Sequence, residues 1–172
     1  GGKGEKTQTL SFNRATMAKR PSGSSIKPLA VYGPALEYDI INWSTVLNDG
    51  PVMKINGRDW PKNYEMDYRG DMTVVEALRI SRNTIPVKIL QQLTTEKSIS
   101  FMQKKLGIST LVTSGDHNDF GPSLALGSLT DGIYLRELTA AYLPFGNGGV
   151  YYSPVSYTRI EDASGNVILD NT

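Results

Sequence analysis

The sequence predicts an α+β fold, mostly helical, with β-structure towards its ends. Three observations carry this. Apolar residues recur at three- and four-residue spacing in several stretches, the helical period. Near the C-terminus, β-favouring runs flank the turn Asp162-Ala163-Ser164-Gly165-Asn166. Hydrophobic residues make up 39% and charged residues 20% of the 172 positions, which places the chain with ordinary globular proteins. That length suffices for one sizeable core or for part of a larger domain. The chain opens on Gly1-Gly2-Lys3-Gly4 without a start methionine and closes at Thr172 just past half a hairpin, so both ends are expected to be cuts in a longer chain.

The first expected helix runs from Ser24 to Glu37, with Ile26, Leu29, Ala30 and Leu36 apolar. Pro28 is tolerated in its first turn, and Pro34 should end or kink it. From Asn42 to Asp71 the chain is rich in Asn, Asp, Gly and Pro and carries Trp43, Trp60, Tyr64 and Tyr68 without a sustained period, the pattern of a long ordered loop. Its aromatic residues either anchor the loop or line a cleft. Thr73 and Glu76 form a capping box before Ala77, Leu78 and Ile80, so a short helix begins there and stops near Ser81. Arg82 to Pro86 is a break, and a helix resumes at Val87. Another helix fits Thr95 to Leu106, with Ile99, Met102 and Leu106 inward and Gly107 as terminator. Thr110 to Pro122 is a polar loop in which Asp116 and Asp119 are solvated turn residues and His117 has no partner motif. Leu135, Leu138, Tyr142 and Phe145 mark a helix ending at Gly146-Asn147-Gly148-Gly149, followed by strand character at Val150–Tyr152, Tyr157–Ile160 and Val167–Leu169.

Composition narrows the chemistry. The net charge is +1 and the basic residues are dispersed, which argues against nucleic acid as a partner. Without cysteine there are no disulfides, thiolate metal sites or cysteine nucleophile. No apolar run approaches the roughly 20 residues that span a bilayer.

Ser24 and Lys27, in Pro21-Ser22-Gly23-Ser24-Ser25-Ile26-Lys27-Pro28, are the most informative pair. At i and i+3 a hydroxyl and an amine share one helix face, so the Lys27 amine can reach Ser24 and take its proton. With Ser24 in the first turn, the positive end of the helix dipole favours an alkoxide and disfavours an ammonium at Lys27. Ser81-Arg82-Asn83 adds an S-x-N triplet about fifty residues on. Its hydroxyl can relay a proton to a leaving amine, and its carboxamide can hold a peptide backbone through donor and acceptor together. Ser11-Phe12-Asn13 and Ser164-Gly165-Asn166 match the triplet too, but the latter is explained as a turn. Ser81 is singled out by its place on a sharp break between helices.

These motifs resemble, in family order, the transpeptidase domains of penicillin-binding proteins, particularly the bifunctional class A type. Gly1-Gly2, Ser11-Phe12-Asn13-Arg14-Ala15-Thr16 and Arg20 are similar to that family's approach to the nucleophile. Gly23-Ser24-Ser25-Ile26-Lys27-Pro28 is similar to its active-site helix, and Ser81 to Pro86 to its second motif. Leu124-Ala125-Leu126-Gly127, Glu137 to Tyr142 and Phe145 to Gly149 are similar to its later core segments. The resemblance implies an antiparallel sheet packed against helices, of which residues 1–172 hold mostly the helical part plus flanking strands of a single domain, with no glycosyltransferase domain present. It implies Ser24 as nucleophile on the penultimate D-Ala carbonyl of a peptidoglycan stem peptide, Lys27 as its base, Ser81 as proton relay and Asn83 as the substrate-positioning amide. The Ser24 N–H would form half of the oxyanion hole. A neighbouring stem-peptide amine would then take the acyl group, and a β-lactam would acylate Ser24 instead. No cofactor or metal is called for. The implied location is the extracytoplasmic face of a bacterial cytoplasmic membrane, anchored by a segment outside this chain.

One departure stands out: the family's third motif, K-[ST]-G, is absent, since Lys6-Thr7 is followed by Gln8. The remainder of the domain, possibly as a separate chain, is expected to supply it, and this segment alone is expected to be inactive. A D,D-carboxypeptidase and a non-catalytic peptidoglycan-binding or sensor module are the alternatives. A class A β-lactamase lacks support because no E-x-x-L-N occurs.

Overall fold

The computed structural model describes residues 11–171, so Gly1-Gly2 and Lys6-Thr7 lie outside the described residues. Strand β1 (Lys19–Arg20) leads into one composite helical stretch: a 3-10 turn at Gly23–Ile26, a π turn at Pro28–Tyr32 and helix α1 (Gly33–Glu37). The expected end or kink at Pro34 takes the form of that π turn, and the helix runs on to Glu37. Pro34 lacks the N–H that an α-turn would send to the Ala30 carbonyl, and Ser98 Oγ supplies a donor there at 2.6 Å. Leu29, Ala30 and Val31 are consecutive and fully buried, so this stretch is enclosed on all sides. Around it pack helices from later in the chain.

The segment from Asn42 to Asp71 is ordered, as its aromatics suggest, but is not a plain loop. It holds β2 (Val46–Asp49), β3 (Met53–Ile55) and β4 (Arg58–Trp60), and β5 (Gly70–Thr73) closes it. β2 pairs antiparallel with β5, Asp49 opposite Gly70, and β3 pairs with β4. Strands of three or four residues are too short for alternation to show in sequence, which is why they read as loop.

Thr73 caps α2 (Val74–Arg79), its Oγ1 accepting from the Glu76 N–H at 3.2 Å. Only half of the capping box forms, because the Glu76 carboxylate is taken by a two-point ion pair with Arg79. After the break, α3 (Thr84–Leu93) starts three residues earlier than expected. Pro86 falls in its first turn, where no intrahelical N–H is needed. Helix α4 (Thr95–Leu106) has the expected bounds and ends at Gly107 with φ 64°. α3 and α4 bury Ile85, Val87, Ile89, Leu93, Ile99 and Met102 against the composite helix.

No helix or strand crosses 110–121, as expected of a loop there. His117 and Asp116 are exposed, but Asp119 is buried. Its carboxylate accepts from the N–H groups of Val112 and Thr130, so it ties the loop down instead of being solvated. A 3-10 turn (Pro122–Leu126) leads to β6 (Ile133–Tyr134), which pairs with β1, then α5 (Leu135–Tyr142) and a 3-10 turn at Leu143–Gly146. The chain finishes as the expected hairpin of β7 (Arg159–Glu161) and β8 (Val167–Asp170). Val150–Tyr152 is not a strand: among the described residues no strand pairs with it, and the Tyr151 phenol packs against Gly107. The architecture is α+β with antiparallel ribbons beside a helical core, although two of the four ribbons among the described residues lie mid-chain and not at the ends. Among the described residues no helix is long and apolar enough to cross a membrane.

Candidate active site

Ser24 lies in the first turn of the composite helix, directly after Gly23, whose φ of 55° starts that turn. The start is fixed from two sides. Gly127 packs so closely that a Cβ there would lie 2.2 Å from the Gly23 oxygen, and Tyr142 donates its hydroxyl to the Ser25 carbonyl at 2.6 Å. Ser24 itself is exposed, and its hydroxyl has no hydrogen-bond partner among the described residues.

Lys27, one turn on, is buried to 1% exposure. Its amine is not bonded to Ser24. It donates to the Ser81 carbonyl at 2.8 Å, the Arg82 carbonyl at 3.0 Å and Asn83 Oδ1 at 2.7 Å, with Ser81 Oγ at 3.1 Å. Three acceptor-only oxygens match the three N–H bonds of an ammonium, and among the described residues bonded to it Ser81 Oγ is the one able to donate in return. Burial pushes the amine down from its ordinary 10.5 to about 8, because the charged form loses its water. The resting group is thus an ammonium held close to neutrality.

Two of those acceptors are presented by an unusual backbone. Ser81 has φ 58°, the left-handed region that a non-glycine residue adopts only where its surroundings hold it. That turn brings the Ser81 and Arg82 carbonyls onto the lysine. Asn83 cannot be flipped, because its Nδ2 donates to the Lys62 carbonyl at 2.7 Å, which leaves Oδ1 for Lys27.

Beneath the turn, Arg82 is buried and ion-paired with buried Asp49, and at its outer side with Glu65 and Asp67. Asn63, also buried, accepts from the Asn83 N–H at 2.8 Å and donates to Asp49 at 2.9 Å. Sequence reasoning missed Asp49, Asn63 and Arg82. The available signal was an arginine inside the S-x-N triplet, since a buried arginine requires a carboxylate and the acidic stretch before it could supply one.

Ser24, Ser81 and Asn83 line one cleft of about 390 Å³ together with Lys62, Asn63, Tyr64, Glu65 and Ile80. All four sequence-predicted residues therefore converge: three on the cleft, with Lys27 behind it. Of the aromatics in question, Tyr64 lines the cleft, 94% exposed, whereas Tyr68 donates to the Pro61 carbonyl and anchors the segment. Chemically, the arrangement offers a free hydroxyl, a near-neutral amine, a second hydroxyl in contact with that amine, and a fixed amide. No group of His, Asp and Glu suited to a metal ion occurs among the described residues.

The family model described as the penicillin-binding protein transpeptidase domain matches residues 3–171. Penicillin-binding protein 1A of Clostridium tetani is 38% identical over 182 residues, covering 99% of this chain and 22% of that protein. Penicillin-binding protein 1A of Clostridium perfringens strain 13 is 36% identical over 183 residues, covering 100% of this chain and 26% of that protein. The chain thus spans about a quarter or less of the length of these curated relatives. Among solved structures, penicillin-binding protein 1A from Haemophilus influenzae superposes with TM-score 0.74 at 32% identity, over 94% of this chain and 23% of that one. The PonA1 protein from Mycobacterium tuberculosis, in complex with penicillin V, gives TM-score 0.77 at 23% identity over 94% of this chain and 43% of that one, a likeness of fold.

Proposed function

This chain belongs to the penicillin-binding protein transpeptidase domain family, and from that premise we propose that it carries the acyl-transfer half of a D,D-transpeptidase site acting on peptidoglycan stem peptides. The observation that carries the reading is the convergence of Ser24, Ser81 and Asn83 on one cleft, with the Lys27 amine bonded to two of them.

In this reading the neutral Lys27 amine takes the Ser24 proton as Oγ attacks the penultimate D-Ala carbonyl. The tetrahedral intermediate collapses as the peptide C–N bond breaks. The departing D-Ala amine receives the proton from the Lys27 ammonium through Ser81 Oγ, which lies 3.1 Å from Nζ. An ester on Ser24 remains. The amine of a neighbouring stem peptide then attacks it, returning the proton to Ser24 and forming the cross-link. Asn83, with both amide atoms fixed, holds the donor's backbone by exchanging one of those contacts. The Ser24 N–H supplies one oxyanion donor. The second donor, and the cation for the substrate carboxylate, are assigned to a K-[ST]-G segment of the parent protein, since no such triplet occurs in this sequence. β-Lactams acylate Ser24 in the donor's place, and the parent acts at the outer face of a bacterial cytoplasmic membrane.

Intact-protein mass spectrometry of the complete parent after penicillin exposure tests the proposal. A stable adduct that maps to Ser24 and disappears in Ser24→Ala is expected. No adduct in the complete protein would instead favour a binding or sensor role.

A further inference from the structure

Asp49 touches neither the cleft nor Lys27, yet it is bound to the segment that supplies every acceptor around Lys27. Five donors converge on its carboxylate. Oδ1 accepts from Asn63 Nδ2 at 2.9 Å and from Thr84 Oγ1; Oδ2 accepts from the Arg69 N–H at 3.0 Å and from both Arg82 Nε, at 2.8 Å, and Arg82 Nη2. The carboxylate is fully enclosed, so these bonds are its entire solvation. They reach residues 82 and 84 directly and residue 83 through Asn63. The left-handed Ser81 turn is therefore clamped from its far side, at the end of β2.

We propose that Asp49 is the positioning residue of this site: through Arg82, Thr84 and Asn63 it sets the Ser81–Asn83 turn that presents the acceptors to Lys27. This rests on the acyl-enzyme reading above for its kinetic consequence. Two guanidinium N–H groups converge on the single oxygen Oδ2, and Arg82 Nη2 also donates to the Asp67 carbonyl at 2.9 Å, so the guanidinium is held in place and with it the carbonyls on either side. The turn lies 54 to 56 residues from Lys27 in sequence, so local geometry alone does not bring the two together.

The test uses the complete parent protein with Asp49→Glu and with the double variant Asp49→Asn/Arg82→Gln. The first keeps a carboxylate for Arg82 but displaces it by a methylene; the second removes both charges together. The rate constant of Ser24 acylation at saturating penicillin and the thermal midpoint are read for each. Acylation is expected to fall about 10- to 100-fold in both, the penalty of a misplaced catalytic group, even where the thermal midpoint stays within a few degrees of the unmodified protein. Acylation within twofold of the unmodified protein in either folded variant overturns the proposal. The Lys27 15Nζ resonance, recorded in the same proteins, decides independently of Ser24 chemistry: it shifts in Asp49→Glu if the acceptors move, and an unmoved resonance overturns the proposal. Absence of any Ser24 adduct in the unmodified protein would sink the acyl-enzyme reading alone, with the lysine resonance still deciding the role of Asp49.

Discussion

If Lys27 is the base proposed above, raising the pH from 7 to 9 should accelerate acylation of Ser24 about tenfold, with a midpoint near 8, because the attacking step then needs the free amine. With the amine at about 8, roughly one lysine in ten is neutral at pH 7 and nine in ten at pH 9. At its ordinary 10.5 the neutral fraction at pH 7 would be only about three in ten thousand, so burial alone raises the competent population about 300-fold. The same burial has a cost in stability whose sign is fixed. Folding lowers the pKa, so between about 8 and 10.5 the unfolded chain binds the proton that the folded chain has released. Stability at this position therefore rises with pH through that window and bears the full cost, about 3 kcal/mol, below it. Stopped-flow acylation by a fluorescent penicillin from pH 6.5 to 9.5, in the complete parent protein, reads the first effect. A flat profile, or one that falls through pH 8, would refute Lys27 as the base.

Two further substitutions follow from how the helical stretch that carries Ser24 is held. Ser98→Ala removes the donor on the Ala30 carbonyl beside the π turn and should cost about 1–3 kcal/mol. Thermal denaturation checks it, and a midpoint unchanged within a degree would mean that the Ala30 carbonyl finds another donor. Gly127→Ala places a Cβ 2.2 Å from the Gly23 oxygen, at a position with φ 75°. It should both destabilise, by about 1–3 kcal/mol for overpacking, and slow Ser24 acylation, since the displaced residue directly precedes Ser24. Normal acylation in a destabilised Gly127→Ala would show that the Gly127 contact supports the fold without setting Ser24.

Helix α4 was legible because its signals are local: a periodic apolar face at Ile99, Met102 and Leu106, and Gly107, left-handed, at the end. The Thr73 cap was legible for the same reason. The β2–β5 ribbon was not, because its strands pair across 21 to 27 residues of chain, as at Leu47–Met72, which no short window contains. The β3–β4 hairpin pairs across only 3 to 7 residues around Asn56-Gly57, a local turn signal, but its strands of three residues are too short to show alternation. At the site, residue types and order pointed to Ser24, Lys27, Ser81 and Asn83. Their mutual geometry stayed hidden. The i, i+3 spacing suggests that the amine meets Ser24, whereas the folded chain commits it to carbonyls that a left-handed serine turns inward from more than fifty residues away.

That difference locates the source of the lysine's chemistry. Spacing puts an amine near a hydroxyl, but an exposed lysine at the same spacing would remain an ammonium at neutral pH. What lowers Lys27 is enclosure by the core that Ile26, Leu29 and Ile85 help to form, and what keeps it from being buried unsatisfied is the Ser81–Asn83 turn. These two influences oppose each other: desolvation disfavours the charge and the acceptors favour it. A site with enclosure alone would hold a neutral lysine with nothing to fix its direction, and one with acceptors alone would hold a permanent ammonium. A base that must both take and return a proton near neutral pH needs the two together. The core helices provide one and, in the proposed reading, the Asp49–Arg82 clamp provides the other, so the S-x-x-K pair would owe its chemistry to residues that the motif does not contain.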